Sequence, residues 1–279
     1  MVIILSLYKG YYINLADSTQ RRELIEQQIA VCGASHLYER FEAVQGEGTK
    51  KVDDPSYFTA REEACLRSHL QILQANLDTD KHIHILEDDA ILHKNHHKIV
   101  SKLLEQMPEK WDILYTGATF TYFQNRPSPL LNLHSTYSQS SQLNVFNTKA
   151  FKMEGAYSYI VNKNSVHKIY TLAKAHKKPI DVILHQLTFH SSAVDALCLF
   201  PTICKHNYAL DSTLRNKHKL DQELTMLYQG LFFLDVNYKD LYKKAKQFAK
   251  KIDFDIFELT DYSFKSLLYY LLFVRFAMY

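Results

Sequence analysis

Hydrophobic positions along this chain change period repeatedly, from the short apolar runs of strands to the three-and-four spacing of helix faces. Residues 11–15, Tyr-Tyr-Ile-Asn-Leu, make a strand-length run; Asp17 and Ser18 are helix-start residues, and Leu24, Ile25, Gln28 and Ile29 then share one helix face. Thr59 and Glu62 form a capping box ahead of Leu66, Leu70 and Leu73, which predicts a second helix. Residues 82–86, His-Ile-His-Ile-Leu, predict a strand that ends abruptly in Glu87-Asp88-Asp89. Further strands are expected over 111–115, closed by Gly117, over 156–161 and over 194–200. A helix is expected over 165–175, and Lys178-Pro179-Ile180-Asp181 reads as a turn leading into another. Residues 118–152 are polar and irregular, with Pro127 and Pro129, and are expected to form a long lid or binding loop. Strands alternating with helices predict an α/β fold around a central, mostly parallel sheet.

From about residue 213 lysines become frequent and no strand pattern remains. Leu241, Ala245, Phe248 and Ile252 predict an amphipathic helix, so the chain divides into an α/β domain over 1–210 and a helical region over 211–279. Lys243, Lys244, Lys246, Lys250 and Lys251 give that helix a basic face, and 264–279 are apolar apart from Lys265 and Arg275. Contact with a membrane surface and packing on the core or on a second subunit both remain open. The opening segment, Met1-Val-Ile-Ile-Leu-Ser-Leu, lacks the basic region and cleavage site of a signal peptide and is too short to span a bilayer. It reads as a first strand or an ordered lead-in.

The composition, 47% hydrophobic over 279 residues with only 7 Gly and 6 Pro, supports a sizeable core and excludes a disordered or collagen-like chain. A net charge of +3 is too small to call for a nucleic-acid partner. Cys32, Cys65, Cys198 and Cys204 form no CxxC pair, so neither a zinc knuckle nor a redox motif is supported, and reduced thiols in a cytoplasmic protein are expected.

The sharpest chemical feature is the acidic triplet. Three adjacent carboxylates repel one another, and hard oxygen ligands suit Mg²⁺ or Mn²⁺. At the carboxyl end of a strand such a cation could bridge the phosphates of a nucleotide; a solvated acidic turn is the plainer reading. Arg21 and Arg22 stand in the first turn of the first helix, against the dipole preference for acidic residues there. They suit a diphosphate, or else surface pairs with Asp17 or Glu23. Cys65, Ser68 and His69 share one turn of the capped helix, as a pocket wall or as an ordinary helix face. Among Lys94, Asn95 and Lys98, the histidines His93, His96 and His97 are expected on a solvated helix face.

In this order and spacing the pieces resemble glycosyltransferase family 25, the lipooligosaccharide-biosynthesis transferases. The resemblance covers residues 12 to about 201 and rests on these segments: Ile13-Asn14-Leu15 with Arg21-Arg22; Phe41-Glu42-Ala43-Val44; Glu62-Glu63-Ala64-Cys65 with Ser68-His69; Ile85 to Asp89; Trp111-Asp112-Ile113-Leu114; Gly155 to Val161; and Pro179-Ile180-Asp181. Two features depart from the family pattern: Ala64 stands where a glycine is frequent, and the segment before Asn14 is longer than expected. The resemblance implies a GT-A-like fold, a UDP-hexose donor and a lipid-linked oligosaccharide acceptor at the inner face of the cytoplasmic membrane. It implies transfer of galactose with inversion, with glucose in some relatives.

It also implies roles for named residues. Asp89, with Glu87, is expected to hold Mn²⁺ (or Mg²⁺). Asn14, Leu15, Arg21, Arg22, Glu87 and Asp88 are expected to bind the donor, with Glu62, Ser68 and His69 walling its pocket. The acceptor hydroxyl needs a general base, for which Asp181 is the first candidate and Glu154 the reserve; Asp181 as a plain helix cap is the competing reading. A glucosyltransferase of the same family, and a catalytically silent nucleotide- or sugar-binding module, are the alternatives in function.

Overall fold

The computed structural model describes residues 6–46, 58–120, 143–150, 153–210, 219–235 and 237–251. The lead-in at 1–5, both prolines of the expected loop, Ile252 and the apolar segment 264–279 lie outside the described residues.

The elements run β1 (Tyr8–Asn14), α1 (Thr19–Val31), β2 (Tyr38–Glu42), α2 (Ala60–Ala75), β3 (His82–Glu87), β4 (Ala90–Leu92), α3 (His96–Gln106), β5 (Ile113–Tyr115) and β6 (Thr119–Phe120). After them come β7 (Asn144–Asn147), β8 (Met153–Glu154), β9 (Ser158–Val161), α4 (Val166–Lys174), α5 (Ile180–His185), β10 (Ala196–Phe200), β11 (Cys204–His206), α6 (Lys219–Phe232) and α7 (Tyr238–Lys251). Seven strands form one sheet in the order β2-β1-β3-β9-β5-β10-β7. β1 is parallel to β2 and β3, and β5 to β10, while β9 and β7 run antiparallel to their neighbours. Five of the seven therefore point the same way, which is the mostly parallel sheet the alternation predicts.

Strands buried on both faces explain the unbroken apolar runs. On one face Ile13, Ile83, Ile85, Ile113, Tyr159 and Val161 pack with Leu66 and Leu73 of α2, Val166 and Ile169 of α4, and Ile183 of α5. On the other, Tyr12 and Leu86 meet Ile25 and Ile29 of α1, and Leu114, Ile160 and Leu199 meet Val100 and Leu104 of α3. The predicted capping box forms at the start of α2: the Thr59 hydroxyl accepts from Glu62 N at 3.1 Å, and Thr59 N donates to Glu62 Oε2 at 3.0 Å. Leu227, Leu231 and Phe232 of α6 and Leu241, Ala245 and Phe248 of α7 join the first core, leaving Lys243, Lys244 and Lys246 exposed.

Two sequence expectations fail here. Far from forming a solvated face, His96 is 1% and His93 6% exposed. The buried stripe of α3 is His96, Val100 and Leu104, so the histidine simply continues the apolar row while Lys98 and Lys102 face outward. His96 stacks on His84 of β3, and the Tyr8 hydroxyl meets His97 Nδ1 at 2.9 Å. Residues 121–142 and 151–152 of the expected loop lie outside the described residues, but the described parts of 118–152 include strands: β6 pairs with β8, and β7 closes the edge of the central sheet. Its Asn-Val-Phe-Asn sequence is short and half-exposed, as edge strands are, and so leaves no apolar run to read.

Candidate active site

Sheet register brings the acidic triplet to its partners. Ile13 stands opposite Glu87, which sets Asn14, the last residue of β1, beside Asp88. Asn14 Nδ2 donates to Asp88 Oδ2 at 2.7 Å and to the Ser18 carbonyl at 3.1 Å. Arg40 of β2 fixes the amide in that orientation by donating Nε to Asn14 Oδ1 at 3.1 Å. From the first turn of α1, the Arg21 guanidinium bridges Asp88, at 2.8 Å, and Asp89. His206, at the end of β11, completes the ring with Nε2 at 3.2 Å from Asp89 Oδ2.

The charges there are held at a cost. Burial raises the Asp88 carboxyl to about 6, against the pull of Arg21 and Asn14 and with the push of Asp89 and Glu87. Burial acts the same way on Asp89, but His206 and Arg21 together outweigh it and hold that carboxyl below its usual range. The repulsion inferred from the sequence is thus partly met by a built-in cation, Arg21.

The tetherings around His206 are tertiary. β11 pairs antiparallel with β4, His206 opposite Ala90, and Asn207 N donates to the Asp89 carbonyl at 2.7 Å. Gly117 lets β11 pass: a Cβ there would meet the Cys204 carbonyl at 2.7 Å. Gln229 of α6 accepts from His206 N at 3.1 Å and donates to Thr119 Oγ1 at 2.7 Å. Beside His206 a cavity of about 730 Å³ opens between β11 and the two C-terminal helices, lined in part by Lys205, Tyr208, Phe233 and Lys244.

The remaining sequence-predicted residues divide. Arg22 points away from the carboxylates and pairs with Glu26 at 2.9 Å on the exposed side of α1. Leu15 contributes its carbonyl to a turn with Ser18 N. Glu62 is buried in the capping box, and Ser68 ties Val44 N to α2 at 2.9 Å. His69 is fully buried, with Nδ1 at 2.9 Å from the Tyr159 hydroxyl and Nε2 at 3.6 Å from Glu87 Oε1. Asp181 lies in the first turn of α5, its Oδ1 accepting from Val182 N at 2.8 Å. Burial and then Glu87, Asp181, Asp89 and Glu62 push the Cys65 thiol well up. Glu154 is on β8, opposite Thr119. Sequence reasoning missed Arg40 and His206. Arg40 directly precedes the quoted Phe41-Glu42-Ala43-Val44 segment, while His206 has no local signal at all.

Asp89 Oδ1 is buried and has no hydrogen-bond partner among the described residues, so one oxygen of that carboxylate is left to meet a cation beyond Arg21.

The α/β sheet, with carboxylates, an arginine and a helix start gathered at the carboxyl edge of its parallel strands, is consistent with a GT-A-like fold. Residues 8–184 match the family described as Glycosyltransferase family 25 (LPS biosynthesis protein), and the chain belongs to it. It is a glycosyltransferase of lipopolysaccharide biosynthesis, whose family reaction takes a nucleotide-sugar donor and an oligosaccharide acceptor. No curated protein matches the chain. Among the described residues no helix is long and apolar enough to cross a membrane.

Proposed function

We propose that the protein transfers a hexose, with inversion, from a UDP-sugar to a lipooligosaccharide core at the inner face of the cytoplasmic membrane, and that the sugar is galactose. The observation that carries this reading is the buried Asp89 Oδ1, without a hydrogen-bond partner among the described residues, inside a ring of Asn14, Arg21, Asp88 and His206. Asp89, Glu87 and His206 would hold Mn²⁺ or Mg²⁺, which when bound neutralises charge building up on the departing diphosphate. Arg21, already aimed by two carboxylates, adds fixed positive charge at the same edge, and Asn14 with Asp88 orients the nucleoside.

Asp181 takes the proton of the acceptor hydroxyl, assistance worth about 10²–10⁴-fold. Its support is its place in the first turn of α5, a helix that packs against α2. Glu154 is the reserve for that role. The cavity next to His206, with Tyr208 and Phe233 for sugar faces and Lys205 and Lys244 for anionic groups, suits the acceptor.

A thermal-shift screen of UDP-galactose, UDP-glucose and other nucleotide sugars, with and without Mn²⁺, tests the donor. A bound ligand raises stability with the logarithm of its concentration over Kd. The expected result is stabilisation by UDP-galactose above UDP-glucose, only with Mn²⁺. Equal stabilisation without the ion would overturn the metal-dependent reading, and preference for UDP-glucose would make the protein a glucosyltransferase.

A further inference from the structure

Cys65 and His69 stand one turn apart on α2, at the i, i+4 spacing by which two side chains of one helix face reach a common ion. Glu87, at the end of β3, faces them. One donor atom from each of the three lies within 4.8 Å of the other two. His69 is fully buried and its Nε2 has no hydrogen-bond partner among the described residues. That atom points at Glu87 Oε1 from 3.6 Å, too far for a hydrogen bond. It is close to the separation of about 3.4 Å that ligands at roughly 2.0–2.1 Å take around a tetrahedral ion. His69 Nδ1 is engaged by the Tyr159 hydroxyl at 2.9 Å. A partner on the far nitrogen of this kind is what orients a metal-binding imidazole. With Nδ1 as the donor, the Nε2 lone pair faces a carboxylate, an arrangement that repels unless a cation lies between.

We propose that Cys65, His69 and Glu87 form a second metal site, which shares Glu87 with the Asp89 site and is suited to a thiophilic divalent ion of the zinc class. A thiolate, an imidazole and one carboxylate oxygen are a borderline-soft set, matched to Zn²⁺ or Co²⁺ and poorly to Mg²⁺ or Mn²⁺. Three protein ligands leave the fourth position to water. Only the thiolate ligates, so uptake of the ion expels one proton from Sγ to solvent as the sulfur–metal bond forms. Nothing in this inference depends on which sugar is transferred.

The test uses the full chain, stripped with chelator and titrated with Co²⁺ as the spectroscopic substitute for Zn²⁺. A thiolate-to-cobalt charge-transfer band should grow to saturation at a single equivalent, release protons into weak buffer, and vanish when Zn²⁺ is added. Cys65→Ser, nearly isosteric and checked for native circular dichroism, should lack the band. Glu87→Gln should keep it with affinity weakened about tenfold or more. Asp89→Asn should retain the band while losing Mn²⁺-dependent UDP binding, which separates failure of this site from failure of the donor site. No band in folded wild-type protein, or an undiminished band in Cys65→Ser, would overturn the proposal; the latter would assign the ion to Cys32, Cys198 or Cys204.

Discussion

His206 Nε2 lies 3.2 Å from Asp89 Oδ2, and the contact is set by backbone pairing: β11 meets β4 with His206 opposite Ala90, and Asn207 N holds the Asp89 carbonyl. If both side chains serve the donor cation, either Asp89→Asn or His206→Ala should lower kcat/KM at least about 10²-fold, the scale of losing one electrostatic stabiliser. Each should also remove the Mn²⁺-dependent part of UDP stabilisation. Gly117→Ala should do the same from a distance, since a Cβ there collides with the Cys204 carbonyl at 2.7 Å and displaces β11. Steady-state kinetics with thermal shifts check all three, and retained Mn²⁺ dependence in the first two would remove those residues from the ion's shell.

The two adjacent arginines should behave oppositely. Arg21→Ala leaves Asp88 and Asp89 buried without their shared cation, and breaking such a pair from one side costs about 3–5 kcal/mol. Arg22 is solvated beside Glu26, and Arg22→Ala should leave the urea midpoint and the activity unchanged. Comparable losses in both variants would show that Arg22 contacts the nucleotide.

Asp181→Asn should reduce transfer by about 10²–10⁴-fold while UDP-sugar binding persists. The capping role of Asp181 predicts a smaller change, confined to stability, because Val182 N keeps an acceptor in the asparagine oxygen. Activity near wild type would hand the base role to Glu154.

Acid should destabilise the fold well above the usual carboxylate range. Burial holds His96 at about 3 and His84 well below the ordinary 6.5. The unfolded chain therefore binds more protons below pH 6.5, and stability fully present above that value is lost on acidification, at up to about 1.4 kcal/mol per pH unit for each ring. Asp88 works the other way: its carboxyl is raised from 3.8 to about 6, so its contribution is present at low pH and lost as pH rises through that window. Two histidines outweigh one carboxyl, so the urea midpoint should fall between pH 6.5 and 4; a midpoint rising over that range would contradict the buried, neutral pair His84 and His96.

Thr59→Ala should cost about 1 kcal/mol, the scale of a lost helix cap, measurable by urea unfolding. Both halves of the box are used, so the buried Glu62 carboxylate loses the Thr59 hydroxyl donor at the same time.

What could be read along the chain was whatever a local pattern encodes. The Thr59–Glu62 cap, the apolar run into Glu87-Asp88-Asp89, the helix stripe of α1 and the strand over β9 all act within a few residues, and each is found where it was expected. The acidic triplet's place at a strand's carboxyl end follows from that alone. The misread His96 and the edge strand β7 escaped the sequence for the same reason: a partner distant in the chain decides each, the stacking ring of His84 in one case and hydrogen-bonded pairing with β10 in the other. Only tertiary structure separated Arg21 from Arg22, recruited Arg40 to orient Asn14, and brought His206 to Asp89, because those contacts depend on parallel register and on a strand returning from far along the chain. Side-chain type names a chemistry, but long-range pairing alone sets the distance at which it operates.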